Sequence, residues 1–294
     1  PGAVQHPAID AAAFPHVAAM HGRVVHIRHT PALRSAALAL TPAVARDVER
    51  EFKTNRELAV VDDVLSATAL RNMIAFCQDS TIFWRSYIQG YQGAFLNSGF
   101  GASGLVLQIA HELQEAFPAV LHGLQLRQAW AYTYSGGHPR GIDPHSDDAT
   151  VSVNCWVTPD EANLSPLTGG LVVYAVDPPE DMAFAHANYG TAAVQELLGG
   201  ATVHELEDKG AGMPVVDSVQ AKRRAAGVSS SGGGSGDDVP LPPDEEAQSA
   251  TSVRIAHRQN RCLLFSGRRF HQSDAMQFKR GYRNRRINLT FLYS

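Results

Sequence analysis

Near residue 125 the hydrophobic period of this chain changes from that of helices to that of strands, and this switch restricts the fold more than any other feature. "LRQAWAYTY", "ATVSVNCWV", "GGLVVYAVD", "RCLLFSG" and "RRINLTFLY" alternate or run apolar over strand lengths, separated by Gly, Pro and Asp clusters. Upstream the signals are helical. Thr41 is placed to cap a helix over "AVARDVEREF", with Pro42 at its first position. Ser66 is placed to cap "SATALRNMIAFCQ", after a strand in "ELAVVDDVLS". In "GASGLVLQIAHELQEAFP", Leu105, Ile109 and Leu113 recur at four-residue spacing before Phe117 and Pro118, which makes an amphipathic helix. A short strand is expected at "RVVHIRH" in the N-terminal arm. Helices first and antiparallel strands afterwards predict an α+β chain with a β-sandwich or barrel core. The expected division is an arm and helix over 1–55 and a domain over 56–294. The stretch 225–250, "AAGVSSSGGGSGDDVPLPPDEEAQSA", has almost no large apolar residue and reads as a disordered insertion.

Two strands carry a second message. In "RINLTF", Arg286, Asn288 and Thr290 share one face and Ile287, Leu289 and Phe291 the other. In "TVSVNCWV", Thr150, Ser152, Asn154 and Trp156 oppose Val151, Val153, Cys155 and Val157. A polar solvent face explains either strand alone. Two such strands beside a candidate metal turn also fit a small barrel with a hydrophilic, ligand-holding interior.

Bulk properties exclude some classes. A formal net charge of −4 does not suit a general nucleic-acid or anionic-membrane binder. No apolar run approaches the roughly 18 residues of a membrane span. The Ala-rich N-terminus is broken by Pro and His and does not read as a signal peptide. Cys77, Cys155 and Cys262 are far apart with no C-x-x-C, and are expected as three buried thiols in a reducing intracellular compartment.

The segment "GIDPHSDDATVSVNCWV" contains His145-x-Asp147, which places an imidazole and a carboxylate on one side of an extended chain. With a distant histidine, the pair can occupy one face of an octahedral ion and leave the opposite face open. The best partner is His271 in "RCLLFSGRRFHQSD", after an apolar strand. Asp148 competes with Asp147, but adjacent residues of an extended chain point apart. His138, in a Gly-Gly-His-Pro turn, is the other nearby imidazole.

In this order the motifs resemble the Fe(II)/2-oxoglutarate-dependent dioxygenases, and among them the prolyl-hydroxylase-like enzymes. The likeness runs from about Glu57 to Ser294. "YSGGHPRGIDPHSD" is similar to the segment in which a Tyr, a Gly-containing turn and His-x-Asp follow one another. "TGGLVVY" is similar to the family's Gly-Gly strand, "LLFSGRRFHQSD" to the strand delivering the distal histidine, and "RRINLTFLY" to the Arg-initiated strand. The resemblance implies a double-stranded β-helix (jelly-roll) core with N-terminal supporting helices. It implies Fe(II) held by His145, Asp147 and His271. The 2-oxoglutarate would be held by Arg286, with Tyr134, Tyr132 and Asn288 around it, O2 as cosubstrate, and ascorbate as an optional reductant. Asn154 and Trp156 are expected to line the substrate pocket. Arg280, Arg283 and Arg285 compete with Arg286, which is preferred because it shares a face with Asn288 and Thr290.

The implied activity is hydroxylation of a protein or peptide side chain or of a small molecule, with succinate and CO2 as coproducts. A catalytically silent jelly-roll binding module, or a cupin-like site with another divalent metal, are the alternatives. The "R-x-N-x-T" strand is shared with nucleic-acid demethylases, but Leu292 stands where those enzymes have a further Arg. No nucleic-acid partner is therefore expected, and no membrane.

Overall fold

The computed structural model describes residues 10–134, 141–179, 182, 191–198, 202–205 and 251–294. The expected insertion at 225–250 and the turn at His138 lie outside the described residues. Helix α1 (Pro15–Met20) is followed by α2 (Pro42–Thr54), β1 (Leu58–Val61), α3 (Ala67–Asp79), β2 (Arg85–Ser86), β3 (Tyr91–Phe95), α4 (Gly104–Ala116) and α5 (Pro118–Leu121). Then come β4 (Leu126–Tyr134), β5 (Val151–Trp156), β6 (Leu171–Tyr174), α6 (Thr191–Leu198), β7 (Thr202–Glu205), β8 (Thr251–Ile255), β9 (Cys262–Ser266), β10 (His271–Ser273) and β11 (Arg286–Tyr293).

The long helices start where the sequence provides caps. The side chains of Thr41, Ser66 and Ser103 accept from the backbone N–H groups of Val44, Ala69 and Val106, satisfying one otherwise orphaned donor each. The arm differs from expectation. "RVVHIRH" joins no ladder, because the Thr81 hydroxyl takes the Val25 and His26 N–H groups at 2.9 and 2.8 Å.

Seven strands form a large sheet in the order β1-β9-β5-β11-β4-β3-β2, and four form a small one in the order β10-β6-β8-β7. All pairs are antiparallel except β7 with β8. The alternation read from β5 and β11 sorts their residues as expected. Val151, Val153, Cys155, Ile287, Leu289 and Phe291 turn to one side and join a core with Phe52, Met73 and Phe76 from α2 and α3 and Leu105, Ile109 and Leu113 from α4. On the other side Leu58, Leu263 and Phe265 of the large sheet pack against Leu171, Val173 and Ile255 of the small one. Val194 and Leu198 of α6 cover the outer side of the small sheet through Val172 and Tyr174. The molecule is thus helices, large sheet, small sheet and a further helix, and its polar strand faces look inward between the sheets.

The expectation of three free thiols fails. Strands β5 and β9 place Cys155 directly opposite Cys262, with Cα atoms 4.1 Å apart, and the two form a disulfide. Only Cys77 is a free, buried thiol. The pairing removes the ground on which a reducing compartment was expected. No helix among the described residues is long and apolar enough to cross a membrane.

Candidate metal centre and its cavity

His145, Asp147 and His271 come together from two distant parts of the chain, with one potential ligand atom from each within 4.8 Å of the others. The backbone builds this meeting. His145 and His271 exchange N–H···O=C bonds of 3.0 and 2.8 Å across an isolated antiparallel bridge, and the Asp147 N–H donates to Gly267 O at 2.8 Å. Gly267 is required there, because a Cβ would stand 2.4 Å from Ala149 O. Asp147 Oδ2 is 3.5 Å from His271 Nε2, and Asp147 Oδ1 is 3.9 Å from His145 Nε2.

The orientation of each group suits metal binding. His145 Nδ1 donates to Asp143 O at 2.8 Å and His271 Nδ1 to Arg269 O at 3.0 Å, which puts the proton on Nδ1 and leaves both Nε2 lone pairs facing Asp147. Ser152 Oγ donates to Asp147 Oδ2 at 2.7 Å and fixes the carboxylate. Burial, and then the neighbouring His271, lower the pKa of His145 to about 4, so its imidazole is neutral at pH 7. Two imidazoles and one carboxylate on one side of an open cavity form a donor set for a divalent cation of the N/O-preferring kind.

The cavity encloses about 730 Å³, and the three residues are part of its wall. Asn154, Asn288 and Thr290 line it. They form a chain of side-chain bonds in which Asn288 Nδ2 donates to Thr290 Oγ1 and Thr290 Oγ1 donates to Asn154 Oδ1. Tyr132 and Tyr134 also line it, directly opposite Asn288 and Arg286 in the β4–β11 ladder. The pKa of Tyr132 is pushed up, first by burial, with Asp147 among the charges that add to it. Tyr134 Oη lies 3.3 Å from Ser273 Oγ. Trp156 does not line the cavity. It is fully buried between the two sheets and stands behind Arg286, whose guanidinium is 5.9 Å from its ring.

Arg286 lies on the same wall, 1% exposed. Nε donates to Gly169 O at 2.5 Å, Nη2 to Gly170 O at 2.9 Å and Nη1 to Asn288 Oδ1 at 3.1 Å, while the Tyr134 ring lies 4.7 Å away. All three acceptors are neutral. Among the described residues no carboxylate lies within ion-pair distance, and burial lowers its pKa. The competing arginines are elsewhere: Arg280 and Arg283 are exposed, and Arg285 donates to Gln92 Oε1 at 3.0 Å.

The Gly169-Gly170 pair has a steric reason. Gly169 has φ +87°, and a Cβ on Gly170 would stand 2.0 Å from Ile255 O. Gly170→Ala is expected to lower unfolding free energy by at least about 2–3 kcal/mol, since the backbone of β8 would have to move. Urea unfolding checks it.

His257, behind Arg286, was not singled out in the sequence. Its side chain is fully buried and neither nitrogen has a hydrogen-bond partner. Burial, and then the charges of Arg286 and Arg261, lower its pKa to about 3. In the unfolded chain a histidine titrates near 6.5. Between these values the unfolded state holds the extra proton, so stability falls as pH drops from about 6.5 and the loss ends near pH 3. The slope is about 1.4 kcal/mol per pH unit. Going from pH 6.5 to 5, the wild type is expected to lose about 2 kcal/mol more than His257→Phe, read from denaturant melts at both pH values.

No protein-family model matches the chain, and no curated protein sequence matches it. Among solved structures the chain is similar to the non-haem alpha-ketoglutarate-dependent epimerase SnoN from nogalamycin biosynthesis, at 11% identity and TM-score 0.48, over 86% of this chain and 84% of that one. It is similar to a Pseudomonas putida prolyl-4-hydroxylase at 12% identity and TM-score 0.47, over 85% of this chain and 100% of that one. HygX from Streptomyces hygroscopicus, solved with nickel and 2-oxoglutarate bound, gives 12% identity and TM-score 0.45, over 87% of each chain. Likenesses at this level leave the chemistry of the site to its own residues.

Proposed function

We propose that this protein is an Fe(II)- and 2-oxoglutarate-dependent oxygenase that hydroxylates a small molecule or a peptide side chain. The observation that carries the reading is Arg286. A buried guanidinium with only neutral acceptors is costly unless an anion completes it, and this one faces the cavity that holds the His145–Asp147–His271 cluster. A planar fork suits a carboxylate, and a dicarboxylate satisfies the arginine at one end and a metal at the other. A silent binding module has no use for this combination.

In this reading His145 Nε2, His271 Nε2 and an Asp147 oxygen would hold the iron. Bound iron with 2-oxoglutarate and O2 supplies the oxidising power, with succinate and CO2 as coproducts. The chain itself does the positioning. Ser152 orients Asp147, the Asp143 and Arg269 carbonyls orient the imidazoles, and Arg286 takes the distal carboxylate of 2-oxoglutarate. Tyr134, Tyr132 and Asn288 provide polar contacts along its length. Trp156 and the sheet-to-sheet core keep water from the back of Arg286.

The same reading takes the two sheets as a double-stranded β-helix. Its eight pieces in chain order are β4, the His145 bridge, β5, β6, β8, β9, β10 and β11. Counted so, 1–8, 8–3 and 3–6 pair in one sheet and 2–7, 7–4 and 4–5 in the other, which is the alternation of a jelly roll. The test is oxygen-dependent formation of succinate from 2-oxoglutarate by the Fe(II)-loaded protein. Succinate is expected from the wild type and absent from His271→Ala. Equal rates in both would overturn the proposal.

A further inference from the structure

We propose that the substrate is a small molecule carrying an aromatic ring and an anionic group, recognised by the β3–β4 wall and two arginines; this rests on the oxygenase reading above. With a volume of about 730 Å³ the cavity falls in the range of about 300–1,000 Å³ of small-molecule sites. Asn288, Thr290 and Asn154 make one side polar. Beside them in the same sheet, β4 and β3 present a row of rings.

Strand β3 lays Tyr91 opposite Tyr134, Gly93 opposite Tyr132 and Phe95 opposite Trp130. The Phe95, Trp130 and Tyr132 centroids lie 6.0–6.4 Å apart, and each of these rings lines the cavity. Gly93 makes this packing possible, since a Cβ there would stand 2.9 Å from the Phe95 ring and 3.0 Å from the Tyr132 ring. Such a surface favours a planar ring, stacked or edge-on, over a saturated one of equal size.

Two cations border it. The Arg85 guanidinium lies 5.0 Å from the Phe95 centroid and 5.2 Å from the Trp84 ring. Arg127 owes its position to a bulge. Leu292 pairs with Gln128 but Tyr293 pairs with Leu126, so Arg127 is the skipped residue, and it reaches the cavity that alternation alone would turn it from. Among the described residues neither arginine has a carboxylate within ion-pair distance. Asp143 and Asp148 reach the cavity from the loop that carries His145, so the anionic group belongs on the strand side and the ring between it and the metal. Leu292, also on the wall, supplies an apolar contact at that end.

The experiment measures binding calorimetrically to the protein loaded with Fe(II) and 2-oxoglutarate under nitrogen. The probes are 3-phenylpropanoate, indole-3-propanoate and 2-naphthoate, with their amides and 3-cyclohexylpropanoate as controls. At least one aromatic acid is expected to bind at least tenfold more tightly than its amide and than the saturated acid. That preference is expected to fall at least tenfold in Arg85→Gln/Arg127→Gln, whose two sites are exposed, and in Trp130→Leu. Affinity for 2-oxoglutarate is expected to stay the same in both variants. If no aromatic acid binds, or acids bind no better than amides and the saturated acid, while 2-oxoglutarate binds normally, the substrate inference is wrong and the oxygenase reading stands. If the wild type does not bind 2-oxoglutarate, both are wrong.

Discussion

Asp147→Ala is expected to fold as the wild type does and to bind Fe(II) more than about 100-fold more weakly. Removing groups that only orient metal ligands costs about 10–100-fold in affinity, and Asp147 is itself the one anionic donor of the cluster. Without it the two imidazoles face a divalent cation with no carboxylate to offset its charge. The fold should tolerate the change, because the carboxylate's side-chain hydrogen bond is the one from Ser152. Losing one such bond to a charged group costs about 1.5–3 kcal/mol, less than the stability of a typical domain. Asp148→Ala is the control that tests the register. Asp148 is exposed and absent from the metal cluster, so its loss should leave metal affinity unchanged.

Arg286→Met is expected to keep full metal affinity and to lose at least about 100-fold in affinity for 2-oxoglutarate. Two charge-assisted hydrogen bonds to a carboxylate in a dry site contribute about 1.5–3 kcal/mol each, and tenfold in affinity is about 1.4 kcal/mol. Stability should change little. Methionine leaves the Gly169 and Gly170 carbonyls without their donors, but it also removes a buried cation that has no counter-ion within the chain. Arg286→Lys keeps the charge and loses the fork, and should fall between the two. Ligand-induced stabilisation reads the difference. At 2-oxoglutarate about 100 times its Kd the metal-loaded wild type gains about 2.7 kcal/mol, and Arg286→Met should gain almost nothing at the same concentration.

Much of the centre was legible because period-two alternation is local. The faces of β5 and β11 follow from the order of their residues, so Asn154, Asn288, Thr290 and Arg286 could be placed on one inward surface before any pairing was known. Arg286 was separable from Arg285 on the same ground. What depends on which strands are neighbours was not legible. Cys155 and Cys262 are 107 residues apart, and nothing in that spacing says that β5 pairs with β9. Trp156 has the inward parity of Asn154, but Arg286 and Leu171 close over it from two other strands. The aromatic wall escaped because β2 has two residues and β3 five, too short for a periodic signal. The recurrence of rings at Tyr91, Phe95, Trp130, Tyr132 and Tyr134 was the trace it left. His257 gave no trace, since a buried imidazole without a hydrogen bond in a loop looks like any other histidine.

The central claim is that one cavity holds both a metal, through His145, Asp147 and His271, and 2-oxoglutarate, through Arg286. Anaerobic equilibrium binding tests it most directly, with Fe(II) titrated alone and 2-oxoglutarate titrated with and without the metal. The expected result is one Fe(II) per chain, with 2-oxoglutarate bound at least tenfold more tightly when the metal is present, and with that coupling abolished in Asp147→Ala. Binding of 2-oxoglutarate that is indifferent to the metal, or metal binding indifferent to Asp147, would contradict it.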